Sequence, residues 1–180
     1  DHCNGAAQLM SRVRVKTLYL PLTALREQSD MLQTIIRTAR ENGTQVRFVR
    51  ENLEFLTKRG KIRVLKPDLL ESGNDGGLCV LAAGEKYDIL MTGDLSEQAE
   101  YRLLSTHDLP HAAVLIAGHH GAASSTSEAL LRAIKPEAVL ISVGADNRFG
   151  HPADETLRRI RNAGAAVFRT DLSGTITIRG

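Results

Sequence analysis

Four stretches of this 180-residue chain hold side chains that could do chemistry together. Leu90-Met91-Thr92-Gly93-Asp94 ends an apolar run in a carboxylate. Ala117-Gly118-His119-His120-Gly121 follows the apolar run Ala113–Ile116 and sets two imidazoles between glycines, which let backbone approach a ligand closely. Asn147-Arg148-Phe149-Gly150-His151-Pro152 gathers an amide, a guanidinium and an imidazole in one loop. Asp1-His2 opens the chain with a further acid and imidazole. An acid and a histidine at the ends of neighbouring strands can share one metal ion. Two carboxylates with two imidazoles form a borderline donor set that suits Zn²⁺ or Mn²⁺ better than Ca²⁺.

Each stretch also has a plainer reading. A carboxylate buried at a strand end is costly unless paired or metal-bound, yet Asp94 could equally be the N-cap of a helix starting near Ser96. In an extended segment, neighbouring side chains point to opposite faces. Only one of the histidine pair would then face a site; His119 is the expected ligand and His120 its supporting neighbour. Asn147 and Arg148 suit an anionic phosphate, or their loop simply leads into a helix behind Pro152. Ser125 and Thr126 could offer hydroxyls to the same phosphate, or Ser125-Thr126-Ser127-Glu128 could cap a helix. His107 and His111, near Pro110, read as solvent-exposed. Asp1-His2 alone carries no meaning, since chain ends fray.

The elements that must position these groups follow from periodicity. Helical spacing covers 4–13, 26–42, 96–105, 128–134 and 153–163. Strand-like runs cover 15–20, 45–49, 78–83, 87–92, 113–116, 138–143, 165–169 and 175–178, and a hairpin joins 52–57 to 61–65. Ser72–Gly77 is the clearest loop. Continuous apolar strands alternating with helices imply covered sheets, while adjacent strand pairs argue against a purely parallel one. Two sheets between helix layers, an αββα sandwich, satisfy both, and the length fits a single domain spanning 1–180.

Composition narrows the classes. At 42% hydrophobic and 24% charged, the chain reads as soluble and globular. A net charge of +2 does not by itself argue for nucleic acid, and 4% aromatics with no Trp argue against a base-stacking platform. No apolar run approaches the roughly 20 residues of a membrane helix. Cys79, inside Leu78-Cys79-Val80-Leu81, reads as a buried small hydrophobe.

Taken together, the Thr92-Gly93-Asp94 stretch, Gly118-His119-His120-Gly121 with Ser124–Ser127, Ile141-Ser142-Val143-Gly144 and Asn147–Pro152 resemble the metallo-β-lactamase-fold domain at the C-terminus of ComEC-type competence DNA-uptake channel proteins. The likeness runs over essentially the whole chain, including Arg169-Thr170-Asp171 and Gly174-Thr175-Ile176. It implies that Asp1-His2 are the last two residues of a His-x-His-x-Asp-His run whose first half, with early strands of the N-terminal sheet, is missing. Asp1, His2, Asp94 and His119 would then hold one metal, with Asp94 bridging to a second. His151 would lie near the scissile phosphate. Asn74–Gly77 stands where many superfamily members carry another ligand histidine, and this chain has none.

The activity so implied is metal-dependent hydrolysis of a phosphodiester, with one or two Zn or Mn ions and single- or double-stranded DNA as substrate. The membrane channel portion of the parent would be the partner, and the domain itself would be soluble and extracytoplasmic. The isolated chain is expected to bind metal weakly and to cleave little. Rival readings are a secreted or free-standing hydrolase of another phosphodiester, and a non-catalytic scaffold.

Overall fold

Ser29 starts the longest helix for a local reason: its hydroxyl accepts the Leu32 N–H at 3.3 Å, satisfying a donor that a helix start leaves orphaned. The computed structural model describes residues 3–27, 29–66 and 73–179. Asp1 and His2 lie outside them, as does Ser72 of the expected loop. Two units divide the chain, Asp1–Glu51 and Asn52–Gly180.

In the first unit, α1 (Ala6–Arg12), β1 (Thr17–Pro21), α2 (Asp30–Glu41) and β2 (Gln45–Val49) follow in order. The pattern over 26–42 overstates α2 at its start, because a 3-10 turn occupies Leu22–Leu25 and Ser29 resets the helix. β1 and β2 pair in parallel, Leu18 opposite Val46. Met10, Ile35 and Ala39 form the core beneath them.

The second unit is built on one mixed sheet, in the order β3 (Leu53–Thr57), β4 (Gly60–Leu65), β5 (Cys79–Gly84), β6 (Asp88–Met91), β7 (Val114–Ile116), β8 (Ala138–Ile141) and β9 (Ala166–Arg169). Pairings from β3 to β6 are antiparallel and those from β6 to β9 parallel. The parallel half requires crossovers, supplied by α3 (Glu97–Thr106), α4 (Glu128–Ile134) and α5 (Asp154–Asn162). Leu90, Leu115, Val139 and Ile141 from the strands pack with Leu130, Leu131 and Ile134 of α4 and Leu157 and Ile160 of α5. Each such side chain contributes roughly 1.5–3 kcal/mol by leaving water. A second cluster joins Leu65 and Cys79 to Ala99 and Leu103 of α3.

The expected strand at 175–178 is not one. A single helical turn, α6 (Thr170–Ser173), follows β9 and ends at Gly174 with φ 66°. Alternation marks a segment as pleatable, but a strand needs a partner, and among the described residues β9 pairs with β8 alone.

Candidate active site

Because β6, β7 and β8 run parallel, their carboxyl ends open on one edge, the edge where open α/β sheets bind ligands. Asp94 follows β6, His119 and His120 follow β7, and His151 lies in the long loop after β8. Cross-loop hydrogen bonds sew these ends together. The His119 N–H donates to the Gly93 carbonyl at 3.0 Å, and the Ala153 N–H donates to the Gly121 carbonyl at 2.9 Å. A Cβ on Gly121, at φ 82°, would lie 2.7 Å from Pro152 Cβ, so the approach of these loops requires glycine.

The two histidines are not extended. His119 (φ 48°, ψ 46°) and His120 (φ 56°, ψ 23°) both adopt left-handed backbone within the turn Gly118–Gly121. The opposite-faces argument for choosing between them therefore does not apply. Left-handed backbone costs an L residue about 1 kcal/mol or more. What distinguishes the pair is bonding. His119 Nε2 faces Asp94 Oδ2 at 3.9 Å. His120 Nδ1 is 2.7 Å from the Ser142 carbonyl, which fixes its proton on that nitrogen. The His119 ring meets His151 edge-on at 5.6 Å and His120 at 6.4 Å between centroids. Burial first, then the His119 and His120 imidazoles, hold His151 below the ordinary histidine range, opposed by Asp94.

Asp94 does not cap α3; Ser96 does, with its hydroxyl accepting the Ala99 N–H at 3.3 Å. Asp75, in the turn Gly73–Gly76, holds that cap by accepting from the Ser96 N–H at 2.7 Å and its hydroxyl at 2.8 Å.

Ser125 and Thr126 are fully buried. The Ser125 hydroxyl donates to the Leu95 carbonyl at 2.7 Å, and the Thr126 hydroxyl accepts the Gly118 N–H at 3.0 Å. Both hydroxyls thus hold backbone beside the candidate ligands. Asn147 is occupied likewise: its amide donates to the Gly144 and His151 carbonyls at 2.9 and 2.7 Å and accepts the His151 N–H at 2.9 Å. Arg148 is exposed, its guanidinium carbon 5.3 Å from the Phe149 ring centre. His111 is exposed as expected, but His107 is half-buried at the end of α3, with Nε2 3.1 Å from Asn52 Oδ1. Cys79 is 2% exposed, and burial first, then Glu100, pushes its thiol up to about 12, so it is inert.

Two charged residues that organise this region escape a reading by motif. Glu100 on α3 is fully buried, and its two oxygens accept the Thr126 and Ser127 N–H groups at 2.7 Å each. Burial raises its pKa, and the hydrogen bonds from Ser127 and Thr126 pull it back. Arg159 on α5 donates to the carbonyls of Ala123 and Ser125 at 2.7 Å each. The 123–127 loop is thus gripped by an anion at its N–H groups and a cation at its carbonyls. The signal for Glu100 was an acid on the helix stripe of Ala99 and Leu103, where charge is unaffordable without partners.

The chain is homologous to ComEC-type competence proteins. It is 30% identical over 181 residues to ComE operon protein 3 of Bacillus subtilis (strain 168), covering 99% of this chain and 23% of that protein. It is 35% identical over 117 residues to competence protein ComA of Neisseria gonorrhoeae, covering 62% of this chain and 17% of that protein. Recombination protein 2 of Haemophilus influenzae is 31% identical over 121 residues. The chain spans less than a quarter of the length of each of these relatives. No protein-family model matches it. Among solved structures, the CmlA beta-hydroxylase E377D mutant superposes with a TM-score of 0.52 at 13% identity, over 88% of this chain and 38% of that one. The fold is that of the metallo-β-lactamases.

That fold suggests divalent metals in general. Asp94 and His119 supply two donors at a separation two ligands of one ion could bridge. Among the described residues, no group of three or more His, Cys, Asp or Glu side chains could hold a metal ion. The described donors thus fit part of a metal site without completing it.

Proposed function

We propose that this chain is the metal-dependent phosphodiesterase domain of a DNA-uptake channel protein, with DNA as its substrate. The observation that carries the reading is the Asp94–His119 pair, 3.9 Å apart beyond adjacent parallel strands, with His151 against the same imidazole. Homology to competence proteins supports DNA as the polymer. In this reading Asp94 and His119 act with Asp1 and His2 as ligands of Zn or Mn, whose chemistry there is to acidify a water and offset charge on the phosphate.

The protein's own groups do the rest. His120, its proton committed to Ser142, stands behind the ligand turn. Asn147 fixes the loop that carries His151, and His151 hydrogen-bonds the phosphate. Arg148 adds charge at the rim. Ser125 and Thr126 serve the substrate indirectly, by holding Leu95 and Gly118. The parent is a membrane protein and the domain works outside the bilayer, facing the extracytoplasmic side. No described helix is itself long and apolar enough to cross a membrane.

Asp94→Ala and His119→Ala in the full-length parent test the reading by elemental analysis and cleavage of end-labelled DNA with added Mn²⁺. Metal content should fall, with cleavage reduced about 100-fold or more. Unchanged metal and cleavage would overturn the reading in favour of a scaffold.

A further inference from the structure

His151 carries a second ring with it to the rim of the site. Phe149 stacks on its imidazole, ring centres 5.9 Å apart and planes 19° from parallel. Arg148 lies 5.3 Å from the Phe149 centroid. Inward, His151 meets His119 at 5.6 Å, and His119 faces Asp94. A continuous run of cationic and π groups therefore leads from solvent to the candidate centre.

Phe149 is 68% exposed and belongs to neither core cluster of its unit. A lone exposed phenyl ring is ordinary on a protein surface. This one is held differently. The three Asn147 hydrogen bonds staple the loop from Gly144 to His151, so the ring hangs on a span whose backbone is set. One neighbour is an imidazole beside the reacting position and the other is a guanidinium. With the guanidinium over the ring and the imidazole stacked on it, the loop offers an exposed ring and guanidinium plane on which an unstacked nucleobase can stack, and a cation for its phosphate.

We infer that Phe149 and Arg148 form a nucleobase platform that seats one unstacked base of single-stranded DNA, with the adjoining phosphate directed to His151. The inference rests on the phosphodiesterase reading and narrows its substrate to the single strand. Bases within a duplex are already stacked on one another and reach an exposed ring only after unstacking. Scarcity of aromatic residues does not oppose this, because one ring at the right place suffices for one base.

Fluorescence anisotropy with the full chain in EDTA tests the platform without any cleavage. The probes are a labelled oligothymidylate, an abasic strand of the same length, and a hairpin duplex. The native chain should bind oligothymidylate more tightly than either of the others. Phe149→Ala should weaken that binding by about 5- to 100-fold, the range of one lost base–aromatic stack, and leave the abasic strand unaffected. Phe149→Tyr should restore it. Arg148→Ala should reduce the salt slope of binding by about 0.7. Equal affinity of native and Phe149→Ala chains for oligothymidylate overturns the platform, as does native binding of duplex or abasic strand as tightly as oligothymidylate. Cleavage by the parent is read separately, so loss of the platform and loss of the hydrolase reading are distinguishable.

Discussion

Glu100 is a carboxylate without exposed surface whose two oxygens are both spent on backbone N–H groups of the loop beside His119. Thr126 sits at φ 57°, a conformation strained for a β-branched residue. It is held there by Glu100 at its N–H and by Gly118 at its hydroxyl. Removing the carboxylate leaves two buried donors unsatisfied, each costing about 1–3 kcal/mol. Glu100→Ala should therefore lose about 3 kcal/mol of unfolding free energy in urea, and Glu100→Gln, which keeps one acceptor, about half of that. A loss below about 1 kcal/mol for the alanine variant would show that the loop holds itself.

Among the elements, the turn from β9 into α6 is tied by side chains rather than by sheet pairing. The Thr170 hydroxyl accepts the Val143 N–H and donates to the Val143 carbonyl, both at 2.8 Å. Arg169 Nε donates to Asp171 Oδ1 at 3.0 Å, and its Nη2 donates to Oδ2. This fork holds the Asp171 carboxyl below its ordinary range. A carboxyl whose pKa is lower in the folded than in the unfolded chain stabilises above its unfolded value, about 3.9, and the contribution is lost as pH falls toward the folded value. Asp171→Asn should thus lower the melting temperature at neutral pH, with the gap to the native chain closing below about pH 4. A gap independent of pH would mean that the fork contributes through packing alone.

Elements were more legible than the site. Apolar periodicity located α4 at 128–134 and the Ser96 cap of α3, because burial and capping are local demands written in adjacent residues. It misjudged 175–178, since pairing depends on a neighbour that local pattern does not specify. Asp94 and His119 could be picked out as an acid and an imidazole after apolar runs. The left-handed turn at His119-His120 could not, because the hydrogen bonds it makes run to residues distant in sequence, Gly93 and Ser142. Ser125 and Thr126 looked like hydroxyls for a phosphate, but only three-dimensional packing reveals that they face Leu95 and Gly118.

At the scale of the whole molecule, one edge of the mixed sheet is apolar. Among the described residues β3 pairs with β4 alone and carries Leu56 at 83% exposure, an apolar side chain on an edge strand. Such an edge invites pairing with other chains. Leu56→Lys should leave unfolding free energy within about 0.5 kcal/mol of the native chain and lower light scattering in concentrated solution. A larger destabilisation would mean that Leu56 is covered in solution.

The left-handed backbone at His119 and His120 also bears on how the protein can diverge. Glycine and asparagine enter such a conformation at little cost, whereas most other residues are penalised. A lineage released from selection on the imidazoles has an open path through those two residues. It can shed its chemistry there while the turn, the loops sewn to it and the sheet behind them persist. Ancestry and activity can come apart at this one turn, so an intact fold in a descendant would be no guarantee of a working site.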